Sequence, residues 1–196
     1  MDNNSSVVNK IKKNNKRVFK ILLFAISILI VSVFSLIQFM QYKKDSIIVY
    51  RVYTSENGWS KWYRNNQVAG DKGNIILAIE IKTNLKETGY VFYNTLSDEL
   101  SFNDNDEYDG LTSGDKRYPL YAIRMFLTDN LYKNYKIYYR THNKSDNWLG
   151  WSSNKEVSGN KNVGMDQIQI KLIEINEEFN YEPNKTHRNF MEDNYE

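Results

Sequence analysis

A chain of 196 residues with no cysteine, two histidines and a formal net charge of +2 has room for one ordinary domain plus accessory segments. The missing thiols exclude a disulfide framework, a thiolate nucleophile, a zinc–cysteine site and a lipoprotein-type lipid attachment. The near-balanced charge leaves no basic footprint for nucleic acid, while 15 tyrosines and two prolines suit β-sheet.

Residues 1–20 are polar and basic, with Lys10, Lys12, Lys13, Lys16, Arg17 and Lys20 facing the single acid Asp2. Residues 21–40 then run without a charge, and twenty residues at about 1.5 Å each span about 30 Å, the thickness of a bilayer's hydrocarbon core. A cleaved signal peptide has a shorter apolar run and a small-residue cleavage site. The exit Gln38-Phe39-Met40-Gln41-Tyr42 supplies no such site, so residues 21–41 read as an uncleaved, single-pass signal anchor. The basic cluster ahead of it outweighs Lys43, Lys44 and Arg51 behind it. That imbalance places the N-terminus in the cytoplasm and the chain from about residue 45 onward outside a plasma membrane.

The remainder is organised by self-similarity. Gly70, Gly114 and Gly159 stand 44 and 45 residues apart, and nine residues after each comes Ile79, Ile123 or Ile168. Tyr50, Tyr93 and Tyr139 precede the three glycines at nearly constant distance, as do Trp59, Phe102 and Trp148. A small residue stands before each glycine (Ala69, Ser113, Ser158) and a lysine two places after it (Lys72, Lys116, Lys161). A period of this length marks one supersecondary unit used several times. The copies are 46–86, 89–129 and 134–175, packing as one body because their connections are short.

In the first copy, residues 47–54 alternate as a strand, Asn57-Gly58 makes a hairpin turn and residues 59–64 return. A short element at 68–70 and a last strand over 75–82 follow, with Ile75, Leu77, Ile79 and Ile81 on one face. The third copy repeats the plan with strands over 135–141, 148–152, 157–159 and 167–172. The middle copy has strands over 90–95 and 120–127 around a polar tract. After residue 175 the pattern stops, and 176–196 reads as a flexible acidic tail.

These marks resemble the clostridial hydrophobic repeats with a conserved tryptophan, the ChW family of bacterial surface proteins. The matching residues are Tyr50, Asn57-Gly58-Trp59-Ser60-Lys61-Trp62 and Ala69-Gly70-Asp71-Lys72-Gly73, then Tyr139, His142, Trp148-Leu149-Gly150-Trp151 and Ser158-Gly159. His142 fills the family's histidine place three residues after the tyrosine, where Tyr53 and Leu96 stand in the other copies. Family members usually carry Gly-Thr-x-Gly where this chain has Gly70-Asp71-Lys72-Gly73, and the middle copy lacks both tryptophans. The resemblance covers about residues 47–175. It implies an extracellular, non-catalytic module for carbohydrate or protein, on an all-β body with pseudo-threefold symmetry most like a β-prism. A β-trefoil has the same strand count and similar repeat length, and stands as the alternative.

Trp59, Trp62, Trp148 and Trp151 are the only tryptophans. Strand residues three apart point to opposite faces, so unless a bulge intervenes each pair should send one indole inward (Trp59, Trp148) and one outward (Trp62, Trp151), the outward one packing against a neighbouring sheet or meeting a ligand. An outward indole stacks on a sugar face or fills a partner's pocket. His142 donates a ring hydrogen bond either to a ligand or, more commonly in such a hairpin, to a backbone carbonyl. Asp71 and Asp115 recur at equivalent sites after their glycines and complete the candidate ligand residues. The acidic run Asp104, Asp106, Glu107 and Asp109 has the wrong spacing for a calcium loop, and no metal or cofactor is expected. With acids mostly in turns and tail, no catalytic role is expected either. The expected partners are the membrane and an extracellular carbohydrate or protein.

Overall fold

The computed structural model describes residues 3–45, 47–85, 89–97, 102 and 105–184, which fall into two compact units. The first is a single helix, α1 (Asn3–Asp45), so the basic segment and the apolar run are continuous. Its stretch Asn15–Met40 has a mean hydropathy of 2.6 with none of it buried. At about 1.5 Å per residue these 26 residues reach about 39 Å, enough to cross a bilayer. The serines are tolerated because their hydroxyls turn back on the helix. Ser27 donates to the Phe24 carbonyl at 2.7 Å and Ser32 to the Ile28 carbonyl at 2.9 Å, so neither faces an apolar medium unpaired.

The second unit is all-β apart from one short helix, and the same arrangement occurs in it three times. β1 (Ile48–Thr54), β2 (Gly58–Trp59), β3 (Tyr63–Arg64), β4 (Val68–Ala69) and β5 (Ile76–Thr83) make the first copy. β6 (Val91–Leu96), β7 (Glu107–Tyr108), β8 (Thr112–Ser113) and β9 (Ala122–Leu127) make the second. After α2 (Asp129–Asn134), which buries Leu131, the third comprises β10 (Tyr135–Asn143), β11 (Asn147–Trp148), β12 (Ser152–Ser153), β13 (Ser158–Gly159) and β14 (Met165–Glu174). In each copy the first strand pairs antiparallel with the last: β1 with β5, β6 with β9 and β10 with β14.

The copies are closed into a ring by what each gives to another. The short strand ahead of each glycine joins a neighbouring copy's sheet. β8 pairs β5 with Ser113 opposite Ile79, β13 pairs β9 with Ser158 opposite Ile123, and β4 pairs β14 with Ala69 opposite Ile168. A side chain on the glycines would wreck this crossing. A Cβ on Gly70, Gly114 or Gly159 would stand 2.2, 2.5 or 2.3 Å from the carbonyl oxygen of Asp166, Leu77 or Tyr121, each seven residues after the neighbouring copy's glycine.

Three tyrosines seal the same junctions from inside. Tyr50, Tyr93 and Tyr139 are fully buried. The Tyr50 hydroxyl accepts from the Ile170 amide at 3.1 Å, Tyr93 from Ile81 at 3.2 Å and Tyr139 from Met125 at 3.2 Å. Each donates to a carbonyl of its own copy, at Gln67, Leu111 and Glu156 respectively. A phenol carries a large apolar ring and a polar handle that needs partners when buried, and here both demands are met at once. Burial pushes all three phenols above their usual ionisation range. Around them Ile48, Val52, Ile81, Ile123, Met125, Ile168 and Ile170 form one core shared by the three copies.

Three expectations are corrected here. The return strand over 59–64 is two short strands, because Trp59 faces Tyr53 while Tyr63 faces Tyr50, four steps against three. A bulge in β1–β5 between Tyr53 and Thr54 shifts the phase of β5, so Ile76 joins Ile79 and Ile81 in the central cluster, while Ile75 is half-buried and Leu77 is buried outside that cluster. The tail is not free over residues 176–184, which lie on the third copy. Phe179 and Tyr181 pack edge-on to Tyr138 at 5.1 and 4.9 Å, and Trp151 forms a parallel bridge with Pro183. Residues 185–196, including His187, lie outside the described residues.

Candidate ligand-binding faces

The bulge that splits the return strand decides what the tryptophans do. In the first copy Ser60 holds the ladder, its amide donating to the Val52 carbonyl at 2.9 Å and its hydroxyl accepting from the Val52 amide at 3.1 Å. Lys61-Trp62 form the extra step, and an extra residue reverses the alternation beyond it. Both indoles therefore meet the same side chain: the Arg51 guanidinium lies 4.5 Å from the Trp59 ring centre and 4.7 Å from that of Trp62. The third copy does the same, Arg140 lying 4.7 Å from both Trp148 and Trp151. The expected split into inward and outward indoles is thus overturned.

Each arginine is fixed by the last strand. Arg51 Nε donates to Glu80 at 2.7 Å, and Glu80 also accepts from the Thr112 hydroxyl at 2.8 Å. In the third copy Arg140 Nε donates to the Gln169 amide oxygen at 2.9 Å, and burial draws the guanidinium below its usual ionisation value. A cation held on an aromatic face contributes about 0.5–2 kcal/mol, most when desolvated. Arg51 and Arg140 were missed in the sequence, although each directly follows a repeat tyrosine. Lys82 and Lys171, twelve residues after Gly70 and Gly159, were missed as well.

The outer faces differ. In the first copy the Lys82 ammonium caps Trp62 at 4.1 Å and Lys116 lies 5.1 Å from Trp59; both indoles remain half-buried. In the third copy Trp151 is buried beneath Phe179, edge-on at 5.2 Å. The Trp151 amide donates to the Glu182 carbonyl at 2.8 Å, and the Asn184 amide donates to the Trp151 carbonyl at 2.9 Å. The backbone fits so closely because Gly150 has no side chain: a Cβ there would lie 2.4 Å from the Pro183 oxygen. A hollow of about 600 Å³ runs alongside, lined by Asn66, Arg140, Trp148, Gln169, Lys171 and Tyr181 among others. That volume lies within the range of small-ligand sites.

The middle copy keeps the device and exchanges its parts. Asn94 stands in the arginine's place and Arg124 in the place of Glu80 and Gln169. Arg124 lies 4.7 Å from the Phe102 ring and pairs with Asp106 at 3.3 Å. Asp106, the counterpart of Trp62 and Trp151, also accepts from the Asn94 amide at 3.1 Å.

The other sequence candidates are structural. His142 does not bond a backbone carbonyl. Its Nδ1 lies 2.5 Å from Asp166, both side chains are almost wholly buried, and the second Asp166 oxygen accepts from the Gly73 amide at 2.7 Å. That pair stitches the third copy to a turn of the first. Asp71 meets the Asn57 side chain at 3.5 Å, and Asp115 is taken by Arg117 and the Tyr118 amide. Asp109 accepts from the Thr83 amide at 2.7 Å, Asp104 lies outside the described residues, and no cluster of three metal-ligating side chains occurs among the described residues. Comparison with protein-family models, curated proteins and solved structures finds no match to this chain.

Proposed function

We propose that this chain is a single-pass membrane protein, N-terminus in the cytoplasm, that displays a non-catalytic binding or adhesion module outside the cell. Its body is a pseudo-threefold β-prism of the kind the ChW resemblance implies. The observation that carries the reading is the arginine clamped between two indoles on the first and third copies. Such a rigid aromatic surface has a charged centre, the composition found at the anchors of binding surfaces. Carbohydrate or cell-wall material is its ligand. The full chain in lipid nanodiscs should be retained on purified cell wall, and Trp62→Ala should abolish retention while leaving the β-sheet circular dichroism intact, since Trp151 is buried under the chain's own residues. Unchanged retention would refute the tryptophan assignment.

A second reading, a structural or signalling ectodomain that holds another surface protein, is favoured by one observation. The third face already carries a polypeptide, the chain's own residues 176–184. Retention of a specific protein from membrane extract, with none on glycan, would select it.

A further inference from the structure

The first and third faces share a parts list but not a state. Each has an arginine between two tryptophans and a lysine at the same register, since Lys82 faces Val49 and Lys171 faces Tyr138. In the first copy the lysine ammonium rests on Trp62 at 4.1 Å. In the third copy Phe179 lies against Trp151 at 5.2 Å, and the Lys171 ammonium rests on Phe179 at 3.8 Å. The third face thus shows the first face with an aromatic ring added beside its outer indole and beneath its lysine.

We infer that the first face is a binding site for an acidic polypeptide segment bearing an aromatic side chain, whose ring seats against Trp62 under Lys82. This rests on the domain's being a binding module and names the class of its partner. Charge supports it. Lys61, Lys82 and Lys116 surround the face, with their ammonium groups over Tyr63, Trp62 and Trp59 at 5.3, 4.1 and 5.1 Å. The nearby carboxylates are engaged: Glu80 by Arg51 and Thr112, Asp109 by the Thr83 amide, and Asp115 by Arg117 and the Tyr118 amide. The segment on the third face carries Glu177, Glu178 and Glu182 around Phe179 and Tyr181. The two faces do not bind alike along their whole length. Lys61 occupies the place of Gly150, so the Pro183 path beside Trp151 has no counterpart. A segment on the first face keeps the ring contact and meets Lys61 with a carboxylate instead.

The test uses the full chain in zwitterionic nanodiscs and a labelled peptide of residues 176–184 with a photoreactive benzoylphenylalanine in place of Phe179. Cross-links should map to Trp62 or Lys82. Affinity should fall about tenfold or more in Lys82→Glu and in Trp62→Ala, as for a ring anchor with a charge partner. It should stay close to wild type in Lys82→Arg and weaken as salt rises. Cross-links confined to the third copy would mean exchange of tails between chains and would overturn the proposal. So would equal binding by a peptide with leucine for Phe179 and Tyr181, or affinity unmoved by Lys82→Glu. If the peptide fails while Trp62-dependent retention on cell wall persists, only this inference falls; if both fail, so does the binding-module reading.

Discussion

The middle copy and its two flanking copies solve one packing problem with different residues. In the flanking copies the first strand supplies the cation, Arg51 or Arg140, and the last strand supplies its acceptor, Glu80 or Gln169. In the middle copy the last strand supplies the cation, Arg124, and the return segment supplies the carboxylate, Asp106. What the fold requires at that point is a guanidinium on an aromatic ring. The strand it comes from is open. By contrast the tyrosine and the glycine do not vary, because they contact the backbone of another copy and backbone cannot be exchanged. A second pair makes the same distinction: Thr95 with Ser113 and Thr141 with Ser158 share hydroxyl bonds at 2.8 and 3.1 Å, while Val52 and Ala69 fill these places without one. Replacing both partners of a buried hydrogen bond is close to neutral, whereas replacing one is not.

The comparison breaks first at the glycines. Gly114→Ala would press a methyl on the Leu77 carbonyl and the Ala78 Cα from a backbone with φ of +94°. It should cost about 3 kcal/mol or more in urea denaturation, the range for such strain. Gly70→Ala and Gly159→Ala should match it, and a mild effect in any one copy would deny that the three junctions are equivalent.

The tyrosines come next. Tyr93→Phe removes the partner of the Ile81 amide and the Leu111 carbonyl, a loss of about 1–3 kcal/mol. These phenols also set an alkaline limit. Above about pH 10 the unfolded chain sheds phenolic protons that the folded chain retains, so stability falls as pH rises. The slope is about 1.4 kcal/mol per pH unit for each such tyrosine. Denaturation between pH 9 and 11 should show Tyr93→Phe losing one tyrosine's share of that slope.

Smaller again is the cation exchange. Arg124→Glu sets a carboxylate beside Asp106 and should cost about 1–2 kcal/mol, of which Asn94→Arg in the same chain should recover a measurable part. No recovery would mean that the middle copy cannot accept the cation from its first strand. The least effect on stability is expected from Gly150→Lys, which gives the third face the residue of the first. Residues 176–184 should lose their seat, and chymotrypsin should cleave at Phe179 and Tyr181 faster than in the parent chain.

Much of this was legible in the sequence, and the rest was hidden for definable reasons. Tyr50, Gly70 and Ile79 and their counterparts showed through because contacts to backbone recur with fixed spacing. The apolar run of α1 showed through because nothing else has that length without charge. The placement of Trp62 and Trp151 did not, since it depends on one extra residue in a return strand, which spacing from Trp59 or Trp148 cannot reveal. His142 found Asp166, and Phe179 found Trp151, through contacts between residues far apart in the chain that no local pattern announces. Arg51 and Arg140 were visible and overlooked, each standing beside a repeat tyrosine.

The ring closure also sets an order of events during synthesis. The Tyr50 hydroxyl takes its amide from Ile170, 120 residues further on, and β4 finds its sheet in β14. At translation rates of roughly 5–20 residues per second, the first-made copy waits on the order of ten seconds for the residues that complete it. Through that interval the Tyr50 hydroxyl and the edge of β4 lack the partners that β14 supplies in the folded domain.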